Sequence, residues 1–157
     1  AAGIVLVAGM AIIAQAGLFD GLMKKGPAET AKAAGVVETA DAVKIPLATL
    51  ESGKALFLVQ ESGGRQVHYF ALKSSDGLYR AAFDACDVCF RTNRGYRQEA
   101  NHMVCNNCGL AFPSAKIGEV KGGCNPAPLA RKLEGQYLVI GKGDIEAGKD
   151  YFVRKRS

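Results

Sequence analysis

Residues 86–109 read CDVCFRTNRGYRQEANHMVCNNCG, and this stretch sets what the middle of the chain can form. It contains two Cys-x-x-Cys pairs, Cys86 with Cys89 and Cys105 with Cys108, and fifteen residues separate the pairs. A two-residue gap lets both sulfurs of a pair face one ion while backbone amides point at the thiolates. Two such knuckles supply four thiolates in a tetrahedron, so the spacing predicts a single metal site.

The donor set leaves the identity of the metal open. Four thiolates suit Zn²⁺, a single iron or an iron–sulfur cluster. Two disulfides are the alternative, because disulfides persist outside the cytoplasm, but five cysteines leave one over. Haem attachment is excluded, since Phe90 and Gly109 rather than His follow the pairs. A metal site is therefore the favoured interpretation.

The fifth cysteine, Cys124, stands in the sequence GGCNPAP at residues 122–128. Two glycines and two prolines hold a tight loop there, and we expect Cys124 to lie close to the other four. It would serve as a ligand or as a shielding neighbour, and an isolated buried thiol is the alternative. We interpret His102 as solvated, His68 as a cross-strand partner and Met103 as a packing residue.

Short runs of β-branched, aromatic and aliphatic residues on both sides of the cysteine pairs predict strands. They are separated by turn signals, of which Asp76-Gly77 is a strong hairpin signal. The expected strands are residues 42–47, 55–60, 67–72, 78–83, 137–140 and 151–153, with a turn at residues 142–144. The fold class is therefore mostly β, a small barrel or sandwich that carries the two metal knuckles.

The N-terminal 19 residues contain no charged side chain, and Gln15 is the only polar one. A helix of this length spans roughly the 30 Å core of a bilayer, which predicts a retained single-pass anchor. A secretory signal and a bundle core are the alternatives, since pilin-like filament subunits also begin with an apolar helix. The predicted domains are an apolar transmembrane or assembly helix at 1–25, a linker at 26–41 and the metal-binding domain at 42–157.

Charge and composition exclude other classes of protein. The net charge is +5, but the basic residues are scattered among acidic ones, so we predict no nucleic-acid partner. Asp84 and Asp87 flank Cys86, but no further carboxylate or His stands at a spacing that would complete a catalytic constellation. We therefore predict no catalytic residues and no enzyme.

Four motifs carry a family resemblance: AFDACDVC at residues 82–89, GYRQ at 95–98, VCNNCGLAFP at 104–113 and GGCNPAPL at 122–129. Together they resemble the FtrD-like membrane iron–sulfur family, and the likeness covers most of residues 42–153. The resemblance implies a single-pass anchor in the cell membrane, a domain on the extracytoplasmic side, and a role in iron uptake or electron transfer.

A weaker likeness is architectural. The order of strands, ligand pairs and Pro-rich loop is similar to a Rieske domain, with Cys89 and Cys108 standing where His is expected. The site would then be all-thiolate, with a lower potential than a His-ligated cluster.

These observations predict a membrane-anchored metal protein whose cofactor is an iron–sulfur cluster or a single iron. Its metal-ligating residues would be Cys86, Cys89, Cys105, Cys108 and Cys124. It would act in electron transfer or beside iron transport, together with a transporter or redox partner. The alternatives are a structural, zinc ribbon-like adaptor that holds Zn²⁺, and an extracellular filament subunit that oligomerises through its N-terminal helix.

Overall fold

Three antiparallel sheets form the framework of the part of the chain that the structure describes, residues 31–32 and 34–152 of a computed structural model. The strands are β1 (Val37–Glu38), β2 (Ala42–Pro46), β3 (Leu56–Ser62), β4 (Arg65–Lys73), β5 (Tyr79–Phe83), β6 (Tyr96–Glu99), β7 (His102–Cys105), β8 (Ala111–Pro113), β9 (Lys132–Glu134) and β10 (Tyr137–Gly141). The helices are α1 (Leu47–Leu50) and α2 (Lys142–Ala147), with 3-10 helices at Phe90–Thr92, Ser114–Lys116 and Lys149–Tyr151.

The strand orders are β1-β2-β10-β9, β3-β4-β5 and β6-β7-β8. The first sheet joins early and late parts of the chain, because β10 pairs with β2 from Tyr137 opposite Pro46 to Gly141 opposite Ala42. The other two sheets consist of consecutive strands joined by hairpins. The β6-β7-β8 sheet lies between and just after the two Cys-x-x-Cys pairs in sequence, so it belongs to the cysteine region.

Residues 69–72 of β4 and 80–83 of β5 are buried without interruption, so both faces of the central sheet are covered there. Tyr69 and Ala71 of β4 face one core cluster, together with residues of the four-stranded sheet. Phe70 and Leu72, which alternate with them, face a second cluster that contains three of the cysteines. The central sheet therefore separates the main core from the cysteine region.

The mostly β fold class is confirmed, but a closed barrel is wrong. Among the described residues each sheet keeps two edge strands, β3 and β5 in the central sheet for example. Beyond β5 only an isolated bridge joins Ala82 to Pro128, and proline has no N–H with which to extend a ladder.

Two local predictions near the C-terminus are wrong. Residues 142–144 begin helix α2 instead of forming a turn, and Lys149–Tyr151 is a 3-10 helix where a strand was expected. Phe152 is buried in the main core and Tyr151 packs against it, which explains why this short segment is apolar.

The N-terminal anchor was predicted for residues 1–25, which lie outside the described residues. Within residues 31–32 and 34–152, no helix has the length and apolar character needed to cross a membrane. The predicted linker ends within the described part, where β1 pairs with β2 and Ala34 packs against the main core.

Candidate metal centre

Three loops bring the five cysteines together. The first knuckle follows β5 directly, so the central sheet fixes Cys86 and Cys89. The second begins at Cys105, the last residue of β7, and continues to Cys108. The β6–β7 hairpin joins the two knuckles, because Tyr96 lies opposite Cys105 in the register. The fifteen-residue spacer is therefore largely a hairpin that turns the chain back on itself.

The loop that carries Cys124 is held against β5 by backbone hydrogen bonds. The N–H of Phe83 donates to the carbonyl of Ala127 at 2.8 Å, and the N–H of Ala127 donates to the carbonyl of Ala85 at 2.9 Å. Gly122 and Gly123 both have positive φ, at +89° and +61°, which glycine adopts readily. The tight turn predicted from the sequence therefore places Cys124 beside the first knuckle.

The sulfurs form two compact groups. Those of Cys86, Cys89 and Cys124 lie within 4.8 Å of one another, and so do those of Cys89, Cys105 and Cys108. The Cys89 and Cys124 sulfurs are 3.8 Å apart. The expected proximity of Cys124 is thus confirmed, and all five residues are free thiols rather than disulfides. Their role as metal ligands stays a prediction.

The two knuckles share a hydrogen-bonding pattern that suits thiolates. The N–H of Cys89 donates to the Cys86 sulfur at 3.1 Å. In the same way, the Cys105 sulfur accepts the N–H groups of Asn107 and Cys108. Each knuckle thus directs backbone donors at its first sulfur, which favours the ionised form that metals bind.

Burial and hydrogen bonding shift the pKa values of the thiols in different directions. Desolvation raises the pKa of Cys105 and of Cys124, and the neighbouring sulfurs of Cys108 and Cys89 add to the effect at Cys124. The N–H of Leu110 lowers the pKa of Cys108, the only solvent-exposed cysteine of the five. Five such closely spaced sulfurs cannot all ionise without a cation among them, so the donor set fits a thiophilic metal or an iron–sulfur cluster.

Three polar side chains that support the site were not predicted. The Asn107 side-chain amide donates to the Cys89 sulfur at 3.3 Å. The Tyr96 hydroxyl donates to the Cys124 carbonyl at 2.6 Å, and the Tyr96 backbone N–H donates to Asp84 Oδ1 at 2.6 Å. Asn107 and Tyr96 both lie in the motifs quoted above, but only the folded chain shows which sulfur or loop each one supports.

Asp84 is a half-buried carboxyl of the site. Desolvation raises its pKa to about 7, although the Tyr96 N–H acts in the opposite direction. Gly95 lies against it, because a Cβ at Gly95 would come within 3.0 Å of the Asp84 carboxyl atoms. Asp84 therefore holds the β6–β7 hairpin close to the first knuckle.

A cleft of about 450 Å³ opens beside the sulfurs. Its walls include Cys86, Cys89, Cys105, Asp84 and His68. His68 lies on β4, opposite Val59 of β3, and burial lowers its pKa. His102 is exposed on β7 and Met103 is buried in the second core cluster, so the interpretations of these two residues are confirmed.

The 3-10 helix Lys149–Tyr151 closes one side of the first knuckle. The Tyr151 hydroxyl donates to Asp87 Oδ1 at 2.6 Å, and this bond raises the pKa of Tyr151 to about 12. The ring of Tyr151 also meets Phe90 edge-on, with the centroids 6.0 Å apart. The end of the described chain thus packs onto the knuckle.

Comparison with known proteins gives one match. No curated protein and no solved structure matches the chain, so the likeness to Rieske domains stays a prediction. The family described as membrane iron-sulfur containing protein FtrD-like matches residues 50–152, which include all five cysteines and more than half of the chain's 157 residues. The chain therefore belongs to the FtrD-like family of membrane iron–sulfur containing proteins.

Proposed function

We propose that this chain is a membrane-anchored, extracytoplasmic protein that holds an iron–sulfur cluster or a thiolate-bound iron and transfers electrons, as an accessory to iron uptake. The observation that carries the proposal is the convergence of five cysteine sulfurs from three separate loops. Membership of a membrane iron–sulfur family supports iron over other metals and a membrane location. The extracytoplasmic side and the iron-uptake role rest on the family resemblance.

The donor set supports electron transfer more than substrate chemistry. A thiolate-bound iron or iron–sulfur cluster supplies a one-electron couple, and its potential depends on burial and on hydrogen bonds to the sulfurs. Here the N–H of Cys89 and the Asn107 amide donate to sulfur, while burial of Cys86 and Cys105 excludes water. These residues would hold the surroundings of the metal nearly unchanged between its two oxidation states.

One edge of the site reaches the surface, where a redox partner can approach. Cys108 is exposed, and the side chains of Val88 and Leu110 beside the knuckles are 63% and 55% exposed. Such an apolar rim around an exposed ligand suits a brief protein–protein contact that excludes water.

The charges around this edge favour an acidic partner. Arg91, Arg94 and Lys121 are exposed near the knuckles and the Cys124 loop, and no acidic side chain of the described residues pairs with them. Of the nearby acids, Glu99 pairs with Arg97 and Glu119 with Arg80, which leaves the exposed Asp87, hydrogen-bonded to Tyr151, against these three basic side chains. We therefore propose a redox partner whose docking surface is acidic, which would speed association at low salt.

A structural zinc site is the second candidate function. It is favoured by the donor set, because the four thiolates of two Cys-x-x-Cys knuckles suit zinc as well as iron. The two candidates differ in colour, because iron–thiolate and iron–sulfur centres absorb visible light and Zn²⁺ does not.

The test is metal and sulfide analysis of the full chain, purified anaerobically from membranes, together with its visible spectrum. We expect iron and a visible absorption that bleaches or shifts on reduction. Changing Cys86, Cys105 or Cys108 singly to Ser should lower both the iron content and the melting temperature, since metal binding energy is largely folding energy. Val88→Ser, which introduces the same side chain into the same loop, should leave the iron content unchanged. A colourless protein that holds stoichiometric zinc would refute the electron-transfer proposal.

A further inference from the structure

Cys89 belongs to both groups of sulfurs. It lies within 4.8 Å of Cys86 and Cys124 on one side, and within 4.8 Å of Cys105 and Cys108 on the other. The sequence prediction placed both Cys-x-x-Cys pairs around one ion. In the structure, both sulfurs of the first pair lie in the first group, and Cys89 also lies in the second. Cys89 is the sulfur shared by two pairs, Cys86 with Cys124 and Cys105 with Cys108, and the two pairs adjoin where Cys108 neighbours Cys124.

One sulfur–sulfur distance within the first group matches metal coordination. For metal–sulfur bonds of about 2.3 Å, two sulfurs of a tetrahedral site are about 3.8 Å apart. The Cys89 and Cys124 sulfurs are 3.8 Å apart. Cys124 therefore lies at the distance from Cys89 that a second ligand of the same ion would have.

From this geometry we propose that the site holds two metal ions bridged by the Cys89 thiolate. Cys86 and Cys124 would be terminal ligands of one ion, and Cys105 and Cys108 terminal ligands of the other. This inference rests on the proposed metal-binding function and adds the number of ions and the division of ligands between them.

The surroundings of Cys89 suit a bridging sulfur. A thiolate has three lone pairs, so a bridge between two ions leaves one to accept a hydrogen bond. The Cys89 sulfur accepts one from the Asn107 side chain at 3.3 Å, and Asn107 lies in the second knuckle. The residue is also nearly buried, which is where a sulfur placed between two ions is expected.

Charge balance also favours two ions. Four thiolates around one divalent ion carry two net negative charges and leave the fifth sulfur unused. Five thiolates around two divalent ions carry only one net negative charge, which costs less in a largely buried site. Each ion would have three sulfur ligands. The cleft beside Cys86, Cys89 and Cys105 offers room for a small fourth ligand.

The experiment uses ¹¹³Cd²⁺ as a thiolate-binding probe of the full, reduced chain in detergent. We expect two equivalents to bind and to give two cadmium resonances that are split by coupling through the shared sulfur. Cys124→Ser and Cys108→Ser should each leave one strongly bound ion and remove the splitting. Cys89→Ser should weaken the binding of both ions, whereas Leu133→Ser, at an exposed position on β9, should behave as the wild type does.

The wild-type spectrum alone distinguishes one bound ion from two bridged ions. The test therefore remains valid if a variant fails to fold. A single unsplit resonance from one equivalent of cadmium bound to the wild-type chain would overturn the two-ion inference while leaving the proposed metal-binding function standing. If the wild-type chain bound no cadmium, both proposals would fail.

Discussion

Arg80, a single residue outside the sulfur cluster, helps to hold one of the loops that form the site. Arg80 is only 3% exposed, and its guanidinium donates to Asp76 and Glu119 at 2.7 Å and to the Ile117 carbonyl at 3.2 Å. A buried charge is costly unless it is paired, and here the pairing joins the β4–β5 hairpin to the segment that leads to Cys124. Arg80 therefore links the central sheet to the metal side of the molecule.

The pairing of Asp76 predicts a specific loss of stability in acid. The Ser74 hydroxyl and Arg80 lower the pKa of Asp76 to about 2, below its ordinary value of 3.8. The folded state thus binds fewer protons than the unfolded state between these values, so the contribution of Asp76 is complete above pH 3.8 and is lost as the pH falls toward 2. We expect Asp76→Asn to be less stable than wild type at pH 6, with the difference in free energy of unfolding shrinking below pH 4. Urea unfolding of both proteins at each pH measures it, and a difference that does not change with pH would contradict the assignment.

Removal of the Tyr96 hydroxyl should change the rate at which the site releases its metal. It donates to the Cys124 carbonyl at 2.6 Å, so Tyr96→Phe should leave the Cys124 loop less firmly held. Loss of one such bond costs about 1 kcal/mol, and we expect faster metal transfer to a chelator at unchanged metal content. Tyr137→Phe, at an exposed tyrosine on β10, is the matched control. Equal transfer rates in both variants would show that the hydroxyl has no such role.

At the level of elements, the sequence predicts most of the strands that bury apolar side chains, although it misses β7, which buries Met103 and Val104. Strands β2 to β5 and β10 were predicted because their β-branched and aromatic runs are bounded by turn residues. Strand β6, with the sequence YRQE, was not, since three of its four residues are polar and their pattern resembles a solvated loop. Its pairing with β7 comes from the closure of the two knuckles, which is a tertiary effect.

A substitution at Gly95 would test how closely the β6–β7 hairpin must approach the first knuckle. Its φ is +60°, and an added Cβ would meet the Asp84 carboxyl group. Gly77 also has positive φ, +85°, but nothing lies within 4 Å of its Cβ position. Gly77→Ala should therefore cost only backbone strain, about 1 kcal/mol, whereas Gly95→Ala should cost roughly 2 to 4 kcal/mol and reduce metal retention. Similar unfolding midpoints for the two variants would show that the contact with Asp84 is unimportant.

At the level of the molecule, the sequence predicted that the five cysteines lie close together but not how their sulfurs are grouped. Spacing identifies Cys-x-x-Cys pairs, because it is local and governed by the reach of two residues. It cannot show that Cys89 lies between two groups, since that depends on how β5, the β6–β7 hairpin and the Cys124 loop pack together. The support from Asn107 and Asp84 was missed for the same reason.

The boundary of the folded domain gives the last prediction. Ala31 and Ala34 pack against the main core, and the Thr49 hydroxyl donates to the Ala34 carbonyl at 2.8 Å. A chain of residues 31–157 should therefore fold and bind metal as the full chain does. A chain of residues 36–157 should still fold but lose about 1 to 2 kcal/mol, because Thr49 loses its partner and apolar surface becomes exposed. Urea unfolding and metal content of both chains measure this. If the longer chain aggregated or bound no metal, the first 30 residues would be part of the folded core, and the predicted separation of anchor and domain would be wrong.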